Sequence, residues 1–104
     1  MSPPRPTPLD GVRVIDMADG MGELCGRFLA DLGADVIRVE PPGGAASCTQ
    51  APLRFALHNA GKRGVVVADR ERLLRLLDGA DIWIQTGATG VDDVRARNPG
   101  LVVL

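Results

Sequence analysis

Val12-Arg13-Val14-Ile15-Asp16-Met17 and Asp35-Val36-Ile37-Arg38-Val39-Glu40 are two β-branched runs separated by one turn and one helical stretch. Val12, Val14 and Ile15 in the first, and Val36, Ile37 and Val39 in the second, supply the bulk of buried strands. Asp19-Gly20-Met21-Gly22 reads as a turn. Beyond it Leu24, Cys25, Phe28, Leu29 and Leu32 recur at helical spacing, which assigns Glu23, Arg27 and Asp31 to the opposite, solvent side. Gly33 is placed to cap that helix. The unit is β-α-β, so its strands are expected to be parallel and its crossover right-handed.

The alternation continues along the chain. Pro41 to Pro52, rich in Pro, Gly and Ala, reads as a loop, and Leu53 to Asn59 as a short helix. Val65 to Val67 follows the Lys62-Arg63-Gly64 turn as a third strand. Asp69 is positioned to cap a helix reaching about Asp78, with Leu73, Leu74, Leu76 and Leu77 inward and Arg70, Arg72 and Arg75 outward. Asp81 to Gln85 is a fourth strand. Val91 to Arg97 is a helix that Pro99 ends, and Leu101 to Leu104 opens a fifth strand. The expected fold class is α/β: a Rossmann-like parallel sheet with helices on both faces, built from residues 9–104. Met1 to Pro8, with four prolines and no apolar core segment, is expected to be a disordered lead-in and not a signal peptide. A parallel strand at Leu101 to Leu104 with no covering helix after it leads to the expectation that this is part of a longer protein.

Length and composition agree with one small domain. The chain has 104 residues, 45% of them hydrophobic but only 3% aromatic. Leu, Val, Ile and Ala carry the apolar mass, as in strands covered on both faces. A net charge of -1 provides no global basic field for nucleic acid. Uninterrupted apolar stretches such as Val65 to Ala68 are far too short to span a bilayer. Cys25 and Cys48 are too few and too widely separated for a metal cluster. Cys25 falls on the apolar helix face as a small hydrophobe, and Cys48 falls in a loop as a free thiol. Nothing requires a disulfide, and a cytoplasmic location is expected.

Ligands of open parallel sheets bind outside the carboxyl ends of the strands. Here those ends are the loops Ala18 to Gly22, Glu40 to Gly44, Ala68 to Arg70 and Thr86 to Gly90. Gly20-Met21-Gly22 is a fragment of a dinucleotide fingerprint whose third glycine would fall on Cys25, with Gly26 one residue late. Glu40 ends the second strand, as a ribose-binding acid would. A tight turn and an ordinary strand-end glutamate account for the same residues equally well. His58, Lys62, Arg63 and Arg70 form a basic group. Lys62 and Arg63 sit at a strand entry, away from the ligand edge, and are assigned structural roles. Arg70 sits at the exit, within reach of a phosphate. There is no nucleophile elbow, P-loop or metal-ligand spacing, and no residue earns a role as catalytic acid, base or nucleophile.

Five blocks, in order, resemble one family. Pro8 to Asp16 resembles the opening of class III CoA-transferases, which include formyl-CoA transferase, carnitine CoA-transferase and α-methylacyl-CoA racemase. Phe28 to Gly44 is similar to the family's most recognisable stretch. Asn59 to Val65 resembles its asparagine-lysine-arginine turn, and Ala80 to Ile84 and Arg97 to Val103 resemble two later blocks. The resemblance implies a Rossmann-like large domain in an interlocked homodimer that transfers CoA between carboxylic acids. It implies coenzyme A or acyl-CoA as substrate, no metal, no nucleic acid and no membrane. It also implies a catalytic aspartate later in the family's order than the last block matched, so none is assigned here. Carried over by position, the CoA contacts are Gly20 and Met21 after the first strand, Val67 and Arg70 at the adenine and phosphate end, and Thr86, Gly87 and Ala88 after the fourth strand. The departures are Gly22-Glu23-Leu24 near the family's alanine-glycine-proline, Pro41 in place of a basic residue, and Thr86-Gly87-Ala88 in place of asparagine, an aromatic and arginine. They keep two alternatives open: a non-catalytic CoA-binding or dimer-partner module, and a racemase-type enzyme.

Overall fold

A computed structural model describes residues 6–87 and 90–104; the expectations for Met1 to Arg5, and the candidate contact Ala88, lie outside the described residues. In chain order the elements are β1 (Arg13–Met17), a single 3₁₀ turn (Gly20–Gly22), α1 (Glu23–Asp31), β2 (Asp35–Glu40), α2 (Ala46–Gln50), α3 (Pro52–His58), β3 (Arg63–Val66), α4 (Arg70–Asp78), β4 (Ile82–Gln85), α5 (Val91–Arg97) and β5 (Val102–Val103). All strand pairs are parallel, in the order β3-β2-β1-β4-β5. The expected α/β class with a parallel sheet is what the chain adopts. The chain first adds β2 and β3 on one side of β1, then crosses to add β4 and β5 on the other. The reversal falls between β1 and β4.

The pleat of the sheet divides the apolar residues into two cores. Ile15, Val39 and Trp83 point to one face, where Leu77 of α4, Val94 of α5, Ala80 and Leu101 close over them. Val14, Val36 and Ile84 point to the other, with Ala18, Ala34 and, from α1, Cys25 and Leu29. Burial of these side chains on both faces is the main favourable term in the fold.

The segment between β2 and β3 differs from its reading as a loop to Pro52. Ala46–Gln50 forms a short helix, and Pro52 starts α3 at a position where its missing N–H is not needed. The orientation of α1 differs more. Glu23 is buried, whereas Phe28 is 60% and Leu32 46% exposed. The cause is Gly26, which lies so close to the Asp16 carboxylate that a Cβ there would overlap it and would stand 3.0 Å from Lys62 Cε. The helix therefore presents Glu23, Gly26 and Ala30 to the sheet, and the face carrying Phe28 turns away. Hydrophobic periodicity could not foresee that a buried charge would set the rotation.

The cap assigned to Asp69 is present. Its side chain accepts a hydrogen bond from Arg72 N at 2.9 Å, at an extended backbone position. Asp69→Ala is expected to lose about 1 kcal/mol of stability, within the range of about 0.5–2 for such caps. Urea denaturation followed by circular dichroism reads it. At the other end of α4, Arg97 of α5 donates to both Asp78 carboxylate oxygens, at 3.0 and 2.6 Å. Those hydrogen bonds hold the Asp78 carboxyl below its ordinary range. With the folded-state value lowered, the clamp contributes at neutral pH and is lost as pH falls through that lowered value.

Candidate functional site

Below the carboxyl ends of β1, β2 and β3 lies a cavity of about 590 Å³. Its lining includes Met17 and Asp19 after β1, Arg38, Val39 and Glu40 of β2, and Val67, Asp69 and Arg70 after β3. The volume is within the range of about 300–1,000 Å³ typical of small-molecule sites. Met17, Val39, Val67 and Leu73 make one wall apolar, and Arg70 places a cation at the first turn of α4. Arg70 is half exposed, 4.0 Å from the Asp93 carboxylate. Its guanidinium packs so closely over Gly90 that a Cβ there would overlap it. Gly90, at φ 74°, is also in the left-handed region that favours glycine, so this loop both turns sharply and admits the arginine.

A second cavity of about 280 Å³ adjoins it and is lined by Met17, Arg70, Leu73, Leu74, Leu77, Trp83, Gly87 and Val94. It lies at the β1–β4 reversal, where ligand crevices of open α/β sheets form. A third, of about 130 Å³, is on the α1 side of the sheet, lined by Gly20, Glu23, Gln50, Ala51, Arg54, Phe55 and His58. The loop after β1 thus divides the edge, with residues 17 and 19 facing the large cavity and residues 20 and 23 the small one.

The predicted contacts are distributed accordingly. Val67 and Arg70 line the large cavity, and Arg70 and Gly87 line the second. Gly20 lines the third. Thr86 does not project into any of the three; its Oγ1 accepts a hydrogen bond from Asp19 N at 3.3 Å and so ties the loops after β1 and β4 together. Met21 lies in the 3₁₀ turn beside Gly20. The glycine fragment 20–22 is used as that turn, with Gly20 at φ 60°.

Between these cavities is a cluster of buried charges. Asp16 of β1 is fully buried, Arg38 of β2 is 4% and Glu23 of α1 is 1% exposed. Lys62 Nζ lies 2.5 Å from Asp16 Oδ2 and donates to Glu23 O at 2.8 Å and Asn59 Oδ1 at 2.7 Å. Asn59 Nδ2 donates to Glu23 Oε2 at 2.6 Å, and Gly20 N donates to Glu23 Oε1 at 3.1 Å. Arg38 Nη1 donates to Ala18 O and stands 3.6 Å from Asp16 Oδ1, with its guanidinium 5.8 Å from the Phe55 ring centre. Two carboxylates and two cations meet here, with Arg38 also 4.0 Å from the Glu40 carboxylate, and Gly20 N and Ala18 O tie the loop after β1 to them. Lys62, read from its position at a strand entry as away from this edge, extends its side chain to Asp16 and Glu23 beside the loop after β1. Asp16, Glu23, Arg38 and Asn59 were missed, although a charge inside each of the runs Val14-Ile15-Asp16-Met17 and Ile37-Arg38-Val39 was the available signal. Among the described residues no three of His, Cys, Asp and Glu are grouped so as to hold a metal ion. No helix there is long and apolar enough to cross a membrane.

The model of CoA-transferase family III matches residues 9–104. A Mycobacterium tuberculosis protein named "Probable fatty acyl-CoA transferase" is 38% identical over 91% of this chain and 30% of its own length. The succinyl-CoA:mesaconate CoA-transferase of Haloarcula hispanica is 31% identical over 90% of this chain and 30% of its own. Among solved structures, a CAIB/BAIF family protein from Brucella suis superposes with a TM-score of 0.88 at 31% identity, over 95% of this chain and 33% of that one. The chain therefore spans about a third of the length of each of these three proteins.

Proposed function

The chain belongs to CoA-transferase family III, and on that premise we propose that it forms the CoA-binding edge of an enzyme that moves CoA between carboxylic acids. The observation that carries this reading is the cavity of about 590 Å³ at the carboxyl ends of three parallel strands, apolar along Val67 and cationic at Arg70. The adenine lies against Val67, and Arg70 contacts a phosphate together with the free N–H groups opening α4. By the family's order the remaining CoA contacts fall to Gly20 and Met21 after β1 and to Thr86, Gly87 and Ala88 after β4. The transfer uses a carboxylate nucleophile, which divides one difficult thioester exchange into easier steps. By the family's order that aspartate follows the last matched block, so no aspartate of this chain takes the role, and the chain alone is inactive. The whole enzyme is an interlocked homodimer in the cytoplasm.

Arg70→Ala is expected to weaken CoA binding by about 1–3 kcal/mol, the loss of one charge-assisted contact. Titration calorimetry with CoA checks it. Equal affinities for wild type and variant would remove Arg70 from the site, and no CoA binding by the wild-type chain would overturn the reading.

A further inference from the structure

The large cavity has two corners of opposite character. At the end of β3, Arg70 and the first N–H groups of α4 favour an anion. At the end of β2 the lining is Glu40, Pro41, Gly44 and Ala45. That corner has little with which to hold a phosphate. Pro41 and Pro42 carry no N–H, and Gly44 N already donates to Pro41 O at 3.0 Å. The Arg38 side chain beside Glu40 is only 5% exposed and is shared with Asp16 and Glu23. Among the described residues of the lining, half-exposed Arg70 is therefore the cation left for a ligand.

Glu40 is the opposite case. Its side chain is 23% exposed, and Arg38 Nε stands 4.0 Å from Oε1, beyond hydrogen-bond distance. Its oxygens are thus open to donors from a ligand. An acid that ends the second strand of a parallel unit is placed to accept from ribose hydroxyls. The register agrees. Glu40 pairs with Val66, and Val67 N donates to Glu40 O at 3.1 Å, so Glu40 adjoins the wall assigned to the adenine. Arg70, assigned to a phosphate, follows three residues later. The ribose joins base to phosphate and lies between the two.

We infer that Glu40 accepts hydrogen bonds from the 2′- and 3′-hydroxyls of the ribose, so that the site takes dephospho-CoA in preference to CoA. The inference rests on the CoA-type ligand proposed above and narrows it. A 3′-phosphate removes one hydroxyl donor and brings about two negative charges toward the Glu40 carboxylate. Arg70 cannot offset them while it holds the diphosphate, and the proline corner supplies no replacement. CoA still binds, but its 3′-phosphate weakens the complex instead of anchoring it.

Titration calorimetry of the full chain with CoA and with dephospho-CoA, which differ only in that phosphate, reads the preference. Dephospho-CoA is expected to bind about tenfold more tightly, as like charges in contact disfavour CoA. Glu40→Gln keeps the shape and one acceptor oxygen. It is expected to strengthen CoA binding about tenfold and to change dephospho-CoA binding by less than about threefold. A variant that only loosened the fold would weaken both, and the wild-type chain then decides. There, raising NaCl from about 0.05 to about 0.5 M is expected to narrow the preference, because salt screens the repulsion. CoA binding as tightly as dephospho-CoA or more so, or an unchanged CoA affinity in folded Glu40→Gln, would overturn the inference and leave the CoA reading standing. A preference that salt does not narrow would overturn Glu40 as its cause. No binding of either compound would overturn the proposed function, and this inference with it.

Discussion

Lys62→Met is expected to destabilise the chain by about 3–5 kcal/mol, the loss that follows when one partner is removed from a buried ion pair. The Lys62 side chain is 1% exposed and its Nζ is 2.5 Å from Asp16 Oδ2. Methionine fills nearly the same space but carries no charge, so the loss is electrostatic and not a cavity effect. Asp16 would keep Arg38 at 3.6 Å and the Ala18 N–H at 2.9 Å on its other oxygen. Its Oδ2 would face Gly26, where no side chain can enter. Glu23 O and Asn59 Oδ1 would lose a donor at the same time. For a domain whose whole stability is about 5–15 kcal/mol, this brings the chain close to unfolding at 37 °C. Urea denaturation followed by circular dichroism measures it. The double variant Asp16→Asn with Lys62→Met removes both charges and is expected to recover part of the loss. A single-variant loss under about 1 kcal/mol, or a double variant worse than the sum, would show that the pair is not an isolated buried couple.

The parallel sheet was legible because its signals are local. β2 falls at Asp35–Glu40 and α5 at Val91–Arg97 as read, and the Asp69 cap is used as read. The carboxyl edge of the sheet was legible as well, since the carboxyl ends of parallel strands follow from strand order alone, and Val67 and Arg70 line one cavity there. The rest depends on contacts between residues far apart in sequence. Glu23 reads as a polar-face residue of α1 until Asn59, thirty-six positions on, is seen to hold it. Phe28 reads as core until Gly26 is seen to press on Asp16. Charges within otherwise apolar strands, Asp16 and Arg38, were the one local sign that a buried polar network would rotate α1 and shape the β1 loop.

Trp83→Ala is expected to lose about 3–5 kcal/mol, as large-to-small changes at buried aromatics do. Trp83 is 1% exposed at the centre of the core formed with Ile15, Leu77, Val94 and Leu101, and its Nε1 donates to Met17 Sδ at 3.3 Å. Its ring also lines the cavity at the β1–β4 reversal, opposite Arg70 and Gly87. Truncation would therefore join the core to that cavity, and the new space would admit water from the ligand edge instead of remaining an apolar void. Trp83→Phe keeps most of the buried ring and gives up the indole N–H, so its loss is expected to be clearly smaller. Because this is the chain's only tryptophan, its fluorescence follows unfolding in the wild type, and circular dichroism must follow the variants. Equal losses for Ala and Phe would place the stabilisation in the Met17 contact and not in the packing. A loss near zero for both would mean that β4 is not held by the core described, and the position of Gly87 at the ligand edge would fall with it.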